Sequence, residues 1–217
     1  MSGEPLSISD RACAALLETL AITLDARDRY TAGHSHRVAE YSCAIAQQMN
    51  LAPQQIEIIR AGAQLHDIGK IGIPDSVLLK NGPLTPEEFG LIKLHPQIGR
   101  RILEKAFGFE SLLDIVELHH ENFDGTGYPY GLAGARIPLE ARIVRVADAF
   151  DAMTTDRSYR PAFDPELARE AIQIGSGREF DPEAASAFLN IGAVEGSLLD
   201  VAPVIRQGVP ALSLHSS

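Results

Sequence analysis

The chain has 217 residues, 45% of them hydrophobic and 22% charged, and a formal net charge of −10. That length can bury a full single-domain core. The acidic balance excludes general attraction to DNA, RNA or an anionic membrane, which runs on basic surface, so a phosphate-bearing ligand must be drawn by something local, either bound cations or a few placed Lys and Arg.

Residues such as Arg11, Glu18, Asp25 and Arg37 interrupt every apolar run, and no basic segment followed by an apolar core opens the chain. No membrane span or secretory signal is expected, and the location read from this is cytoplasmic. Cys13 and Cys43 each sit in an apolar helical pattern and read as small buried hydrophobes of a reducing compartment.

Helical periodicity dominates, with no convincing alternating strand and no internal repeat. Ser7 or Ser9 can cap a first helix whose face holds Leu16, Leu17, Leu20 and Leu24 and which ends near Arg29. Thr31 can cap a second, carrying Val38, Tyr41, Ile45 and Met49. Pro53 opens a third, which runs through Ile56, Ile59 and Ala63 and is expected to stop at Gly69, leaving His66 and Asp67 in its last turn. After a loop punctuated by Gly72, Pro74, Asn81, Gly82 and Pro83, Thr85 and Glu88 have the spacing of a capping box, with Pro86 in the first turn. That helix leads to His95; Pro96 opens the next stretch. A further helix, about 112 to 121, ends with His119 and His120. Residues 122–137 form a Gly-rich loop, Pro138 starts a helix holding Asp148 and Phe150, and Asp164-Pro165 and Asp181-Pro182 each read as an N-cap with a first-turn proline. The tail from about residue 191 is apolar but aperiodic and is left unassigned.

His34, His66, Asp67, His95, His119, His120 and Asp148 all fall near predicted helix ends. Imidazoles mixed with carboxylates suit Mn, Fe, Ni or Zn better than Mg or Ca, which prefer all-oxygen shells. Adjacent residues on a helix point about 100° apart, so His66 and Asp67 serve one cluster only if the cations sit at the helix end.

Taken together, Leu65-His66-Asp67-Ile68-Gly69-Lys70-Ile71-Gly72-Ile73-Pro74-Asp75, then His95-Pro96, His119-His120-Glu121 and Asp124-Gly125-Thr126-Gly127-Tyr128-Pro129 resemble the HD-GYP family of phosphodiesterases. Ile137-Pro138, Ala147-Asp148-Ala149-Phe150-Asp151-Ala152-Met153-Thr154 and Arg157-Ser158-Tyr159-Arg160 extend the match, which covers about residues 20 to 190 in order and spacing. The resemblance implies an all-α, compact helical bundle of the HD-domain type with a Gly-rich GYP loop. Residues 1–30 would be an N-terminal helix packing on or leading into the core, 31–190 the catalytic domain, and 191–217 a C-terminal extension.

The resemblance also implies a ligand set. His34, His66, Asp67 and Asp148 would hold one metal; Asp67, His95, His119 and His120 would hold a second, with Asp67 bridging. The ions would be divalent transition metals, Fe or Mn favoured over Ni or Zn. The family's lysine in this motif meets a phosphate oxygen, which here is Lys70, beside Asp67 in the catalytic pair of residues. Tyr128, Arg157 and Arg160 would contact substrate. Tyr30 stands where some members carry a glutamate that assembles a third metal, and a neutral phenol is a poor replacement, so two metals are expected. His36 is expected to be exposed or capping, and His215 to play no part.

The activity implied is hydrolysis of cyclic di-GMP to linear pGpG, and onward to GMP in some members, by a metal-bridging hydroxide. Competing readings are a non-catalytic cyclic dinucleotide-binding module, a phosphodiesterase for cyclic GMP-AMP, and a mononuclear HD hydrolase of mononucleotides. The last has no use for three additional imidazoles at His95, His119 and His120. A homodimer contact through the first helix, and sensor, receiver or diguanylate cyclase partners, complete the expectations.

Overall fold

Two antiparallel helices set the frame: α1 (His34–Gln48) and α2 (Pro53–Leu65), joined through Asn50, whose φ of 58° turns the chain back sharply. The computed structural model describes residues 15, 19–24, 27, 33–106, 108–156 and 161–194. Beyond α2 come a 3-10 turn (Ile68–Gly72), α3 (Asp75–Leu78), α4 (Pro86–Ile92), α5 (His95–Leu103) and α6 (Leu113–Leu118). The Gly-rich loop follows, then α7 (Leu139–Thr154), α8 (Pro165–Gly175) and α9 (Pro182–Val194). Among the described residues there is no strand, only isolated bridges at Asp124–Ala133 and Ser176–Phe180. The architecture is the all-α bundle that the sequence pattern implies.

The main core lies where α1, α2, α7, α8 and α9 meet. Val38, Ile45, Ile59, Ile143 and Phe188 are fully buried there, and alanines at 39, 46, 63 and 147 let the helix backbones approach. Burying each large side chain contributes about 1.5–3 kcal/mol. A second cluster of Leu65, Ile68, Leu103, Phe109, Leu112 and Val116 binds the 3-10 turn to α5 and α6, with Leu20 packed against it. Through Leu20 the helical residues 19–24 pack on their own domain at this point.

Caps follow local chemistry. Thr85 Oγ1 accepts from Glu88 N–H at 3.2 Å while Glu88 Oε2 accepts from Thr85 N–H at 2.7 Å, the reciprocal box the sequence predicts. Asp164 accepts from Glu166 N–H at 2.9 Å, and Asp181 from Glu183 N–H at 2.7 Å. The other carboxylate oxygen of Asp181 pairs with Arg142, tying α9 to α7.

Three predicted helices have boundaries that differ from expectation. The second predicted helix begins at His34, with Gly33 at the N-cap in the left-handed region (φ 71°) and no side-chain cap; Thr31 lies outside the described residues. The third predicted helix ends at Leu65, so His66 is its C-cap, and the chain tightens into a 3-10 turn instead of stopping at Gly69. Gly69 serves packing: a Cβ there would stand 1.8 Å from the His95 carbonyl oxygen and 2.5 Å from the Gly99 nitrogen. The predicted 112–121 helix is similarly shorter, with His119 at the C-cap of α6 and His120 just beyond.

None of the helices is long and apolar enough to cross a membrane, among the described residues.

Candidate metal centre

Helix ends bring the polar residues together. His34 is the first residue of α1, His66 the C-cap of α2, His95 the first residue of α5 and His119 the C-cap of α6, whereas Asp148, expected near a helix end, lies well inside α7 and reaches the cluster from that helix's side. His66, His95 and His119 are at most 1% exposed, and Asp67 is 4% exposed. Such burial of imidazoles and acids costs free energy unless each polar atom finds a partner.

The outer nitrogens have partners of a telling kind. His66 Nδ1 donates to the Ala63 carbonyl at 2.6 Å, His95 Nδ1 to Ile92 at 2.8 Å, and His119 Nδ1 to Val116 at 2.9 Å. A carbonyl can only accept, so each ring carries its proton on Nδ1 and presents a lone pair at Nε2. Those lone pairs converge. His34 and His66 Nε2 are 3.3 Å apart, as are His95 and His119 Nε2. Burial pushes the pKa values of His66, His119 and His120 down, with neighbouring imidazoles adding to the effect, so these rings are neutral. Where two lone pairs face each other across 3.3 Å they repel, and a cation between them reverses the sign. The donor set therefore fits divalent metal.

Asp67 divides its oxygens between two groups. Oδ2 lies 3.4 Å from His66 Nε2 and 3.7 Å from His34 Nε2, whereas Oδ1 lies 3.2 Å from His95 Nε2. Asp148 Oδ1 completes the first side at 3.5 Å from His34 Nε2 and 3.9 Å from His66 Nε2. Ligand atoms of Asp67, His95, His119 and His120 lie within 4.8 Å of one another, and so do those of His34, His66 and Asp67. Lys70 Nζ stands 2.7 Å from Asp67 Oδ2. Burial works to raise the Asp67 pKa, but Lys70, His66 and His95 outweigh it and hold the carboxyl well below its usual range.

Residues the sequence reading left without a role support this cluster. Asp151 Oδ2 accepts from His34 Nδ1 at 2.7 Å, doing for that ring what carbonyls do for the others, and Asp151 is itself gripped by Arg37. Its place three residues after Asp148 on one helix face was the available signal. Buried Glu121 accepts from the N–H groups of Tyr130 at 2.7 Å and Leu132 at 3.0 Å, pinning the Gly-rich loop.

That loop braces the histidine pair. A Cβ on Gly127 would lie 2.2 Å from Asn122 N and 2.5 Å from the His120 carbonyl, so only glycine fits. Tyr128 N–H donates to that carbonyl at 3.1 Å, and its ring stacks on His120 with centroids 4.7 Å apart. One face of the tyrosine expected to contact substrate is thus turned to His120. Burial pushes the phenol pKa up, so its hydroxyl keeps its proton. Arg157, Arg160, Tyr30, Cys13 and His215 lie outside the described residues. His36 is exposed, and buried Cys43 has its thiol pushed up to about 11 by burial.

Comparison with known proteins bears on the same region. The HD domain family model matches residues 18–184. A cyclic di-GMP phosphodiesterase of Vibrio cholerae is 43% identical over 199 residues, which are 85% of this chain and 40% of that protein. A cyclic di-GMP phosphodiesterase response regulator of Xanthomonas campestris is 43% identical over 175 residues, 80% of this chain and 46% of that protein. The solved structure of a cyclic GMP-AMP specific phosphodiesterase from Vibrio cholerae aligns with a TM-score of 0.55 at 30% identity, covering 88% of this chain and 43% of that one. The chain spans less than half the length of each of these relatives.

Proposed function

The chain belongs to the HD-domain family, of the HD-GYP type, and on that footing we propose that it hydrolyses cyclic di-GMP to linear pGpG as a metal-dependent phosphodiesterase. The observation that carries the reading is the division of the Asp67 oxygens between two imidazole groups. A carboxylate so placed can bridge two cations, held on one side by His34, His66 and Asp148 and on the other by His95, His119 and His120. Two such ions, Fe or Mn by preference, would lower the pKa of a shared water and brace the attacking and leaving oxygens of a phosphodiester.

The chain's own residues supply the rest. Nδ1–H bonds to carbonyls and to Asp151 lock the ring orientations before substrate arrives, so little reorganisation is needed at reaction. Lys70 brings an ammonium to the rim beside Asp67, where a phosphate oxygen gains a charge-assisted hydrogen bond as negative charge builds up. Tyr128, with its hydroxyl protonated, is a donor for phosphate near His120. Arg157 and Arg160 are assigned to phosphate or a guanine edge on the strength of their motif. The setting is the cytoplasm.

The test uses metal-reconstituted protein incubated with cyclic di-GMP, cyclic GMP-AMP and a mononucleotide monoester, with products separated by chromatography. Conversion of cyclic di-GMP to pGpG, faster than of the others, is expected. A preference for cyclic GMP-AMP would move the chain to the substrate of the relative with the solved structure. Cyclic di-GMP bound but not cleaved would leave a binding module, and turnover of the monoester alone would overturn the diesterase reading.

A further inference from the structure

Arg27, before the metal-binding core, reaches the turn that carries Lys70. Its Nη1 donates to the Lys70 carbonyl at 2.5 Å, and its Nη2 donates to the Ile73 carbonyl at 2.7 Å and to Asp75 Oδ1 at 2.8 Å. The Asp75 carboxylate is 70% exposed, so that ion pair alone holds little. The two carbonyls matter more. They belong to the 3-10 turn Ile68–Gly72 and its C-cap, whose i→i+3 hydrogen bonds, Lys70 N–H to the Asp67 carbonyl and Ile73 N–H to the Lys70 carbonyl, have poorer geometry than those of an α-helix and leave an intrinsically weak element. A planar guanidinium laid across both carbonyls fixes the far end of that turn, as Gly69 packed against the His95 backbone fixes the near end.

We propose that Arg27 is a positioning residue for Lys70: by clamping the Lys70 and Ile73 carbonyls it sets where the ammonium stands relative to Asp67. The inference rests on the diesterase reading insofar as Lys70 meets the phosphate. Arg27 touches neither the histidine cluster nor Asp67 in the structure, so its effect should run through Lys70 and leave metal loading alone.

A double-mutant cycle on the full chain tests this, with Arg27→Ala, Arg27→Lys, Lys70→Ala and the double variant compared for kcat, KM, metal content and circular dichroism. Arg27→Ala is expected to lower kcat roughly tenfold or more, since small misplacement of a catalytic group is costly. In the Lys70→Ala background the same change should cost about twofold or less, because residues acting as one unit are not additive. Arg27→Lys should restore part of the loss. An equal loss in both backgrounds, or lower thermal stability with unchanged kcat, overturns the proposal. If the wild-type chain cleaves no cyclic dinucleotide, the diesterase reading falls by itself. Arg27 is then judged by amide exchange: faster exchange confined to residues 68–73 in Arg27→Ala, reversed in Arg27→Lys, supports the clamp, and unchanged exchange overturns it.

Discussion

His34 Nδ1 and Asp151 Oδ2 lie 2.7 Å apart, joining the start of α1 to α7 across 117 residues of sequence. Asp151 is 1% exposed and also accepts from Arg37 and, at 3.5 Å, from the Thr155 hydroxyl, so its charge is balanced by the Arg37 guanidinium. It holds the His34 proton on the outer nitrogen and keeps Nε2 aimed at Asp67 and Asp148.

Replacing Asp151 by Asn should therefore weaken metal binding on the His34 side by about 10- to 100-fold, the usual cost of losing an outer-shell partner. The His95–His119–His120 side, whose rings are tied to carbonyls, should keep its affinity. Calorimetric titration of the metal-free variant with Mn is the measurement. Unchanged affinity, or equal weakening of two resolved binding events, would remove Asp151 from this role.

The divided oxygens of Asp67 give a second expectation. Asp67→Ala should release both ions and abolish diester cleavage, because each group loses a ligand and the shared bridge disappears. His120→Ala strips a ligand from one group only, so it should reduce metal content by one ion at most. Metal analysis after gel filtration separates these outcomes. Retention of one full ion by Asp67→Ala would mean that the groups are independent.

Much of this arrangement was legible from motif order, because helix-terminal histidines at fixed intervals have few other uses. Pro53, Thr85–Glu88, Asp164 and Asp181 all mark helix starts whose cause is local, a missing N–H or a side-chain oxygen two or three residues from its partner. The illegible parts are those decided across the fold. Gly69 looks like a helix stop until the His95 backbone is seen beside it, and Asp151 looks like a surface acid of the motif until α1 packs on α7. Arg27 gives no local signal, since its acceptors are carbonyls more than 40 residues away.

Acidification should destabilise the metal-free protein. His66, His119 and His120 have native pKa values below 6.5, so as the pH falls below about 6.5 the unfolded chain binds protons that the native state refuses. Stability is then lost progressively in that window. His34 acts in the opposite sense: burial lowers its pKa, but Asp151 and the nearby carboxylates raise it on balance, which offsets part of the loss. Asp67, held far below the usual carboxylate range, extends the loss further into acid. Urea midpoints of chelator-treated protein should fall between pH 7.5 and pH 5.5. A midpoint that holds or rises would show that the native rings take up protons as readily as the unfolded ones.

Two glycines separate packing from propensity. Gly90, inside α4, has nothing within 4 Å of a built Cβ, so Gly90→Ala should stabilise the protein by about 0.5–1 kcal/mol through lower unfolded-state entropy. At Gly69 the added carbon meets the His95 carbonyl and the Gly99 nitrogen, both backbone, and no side chain can swing away to relieve it. The 3-10 turn or the start of α5 must shift. Gly69→Ala should cost at least the 1–3 kcal/mol typical of overpacking, visible as a lower denaturant midpoint. Because that turn bears Lys70 and α5 opens with His95, the same variant should lose activity even where it remains folded. Gly90→Ala, away from both, should not. Equal stabilities for the two variants would mean that α5 and the turn are looser than their packing implies.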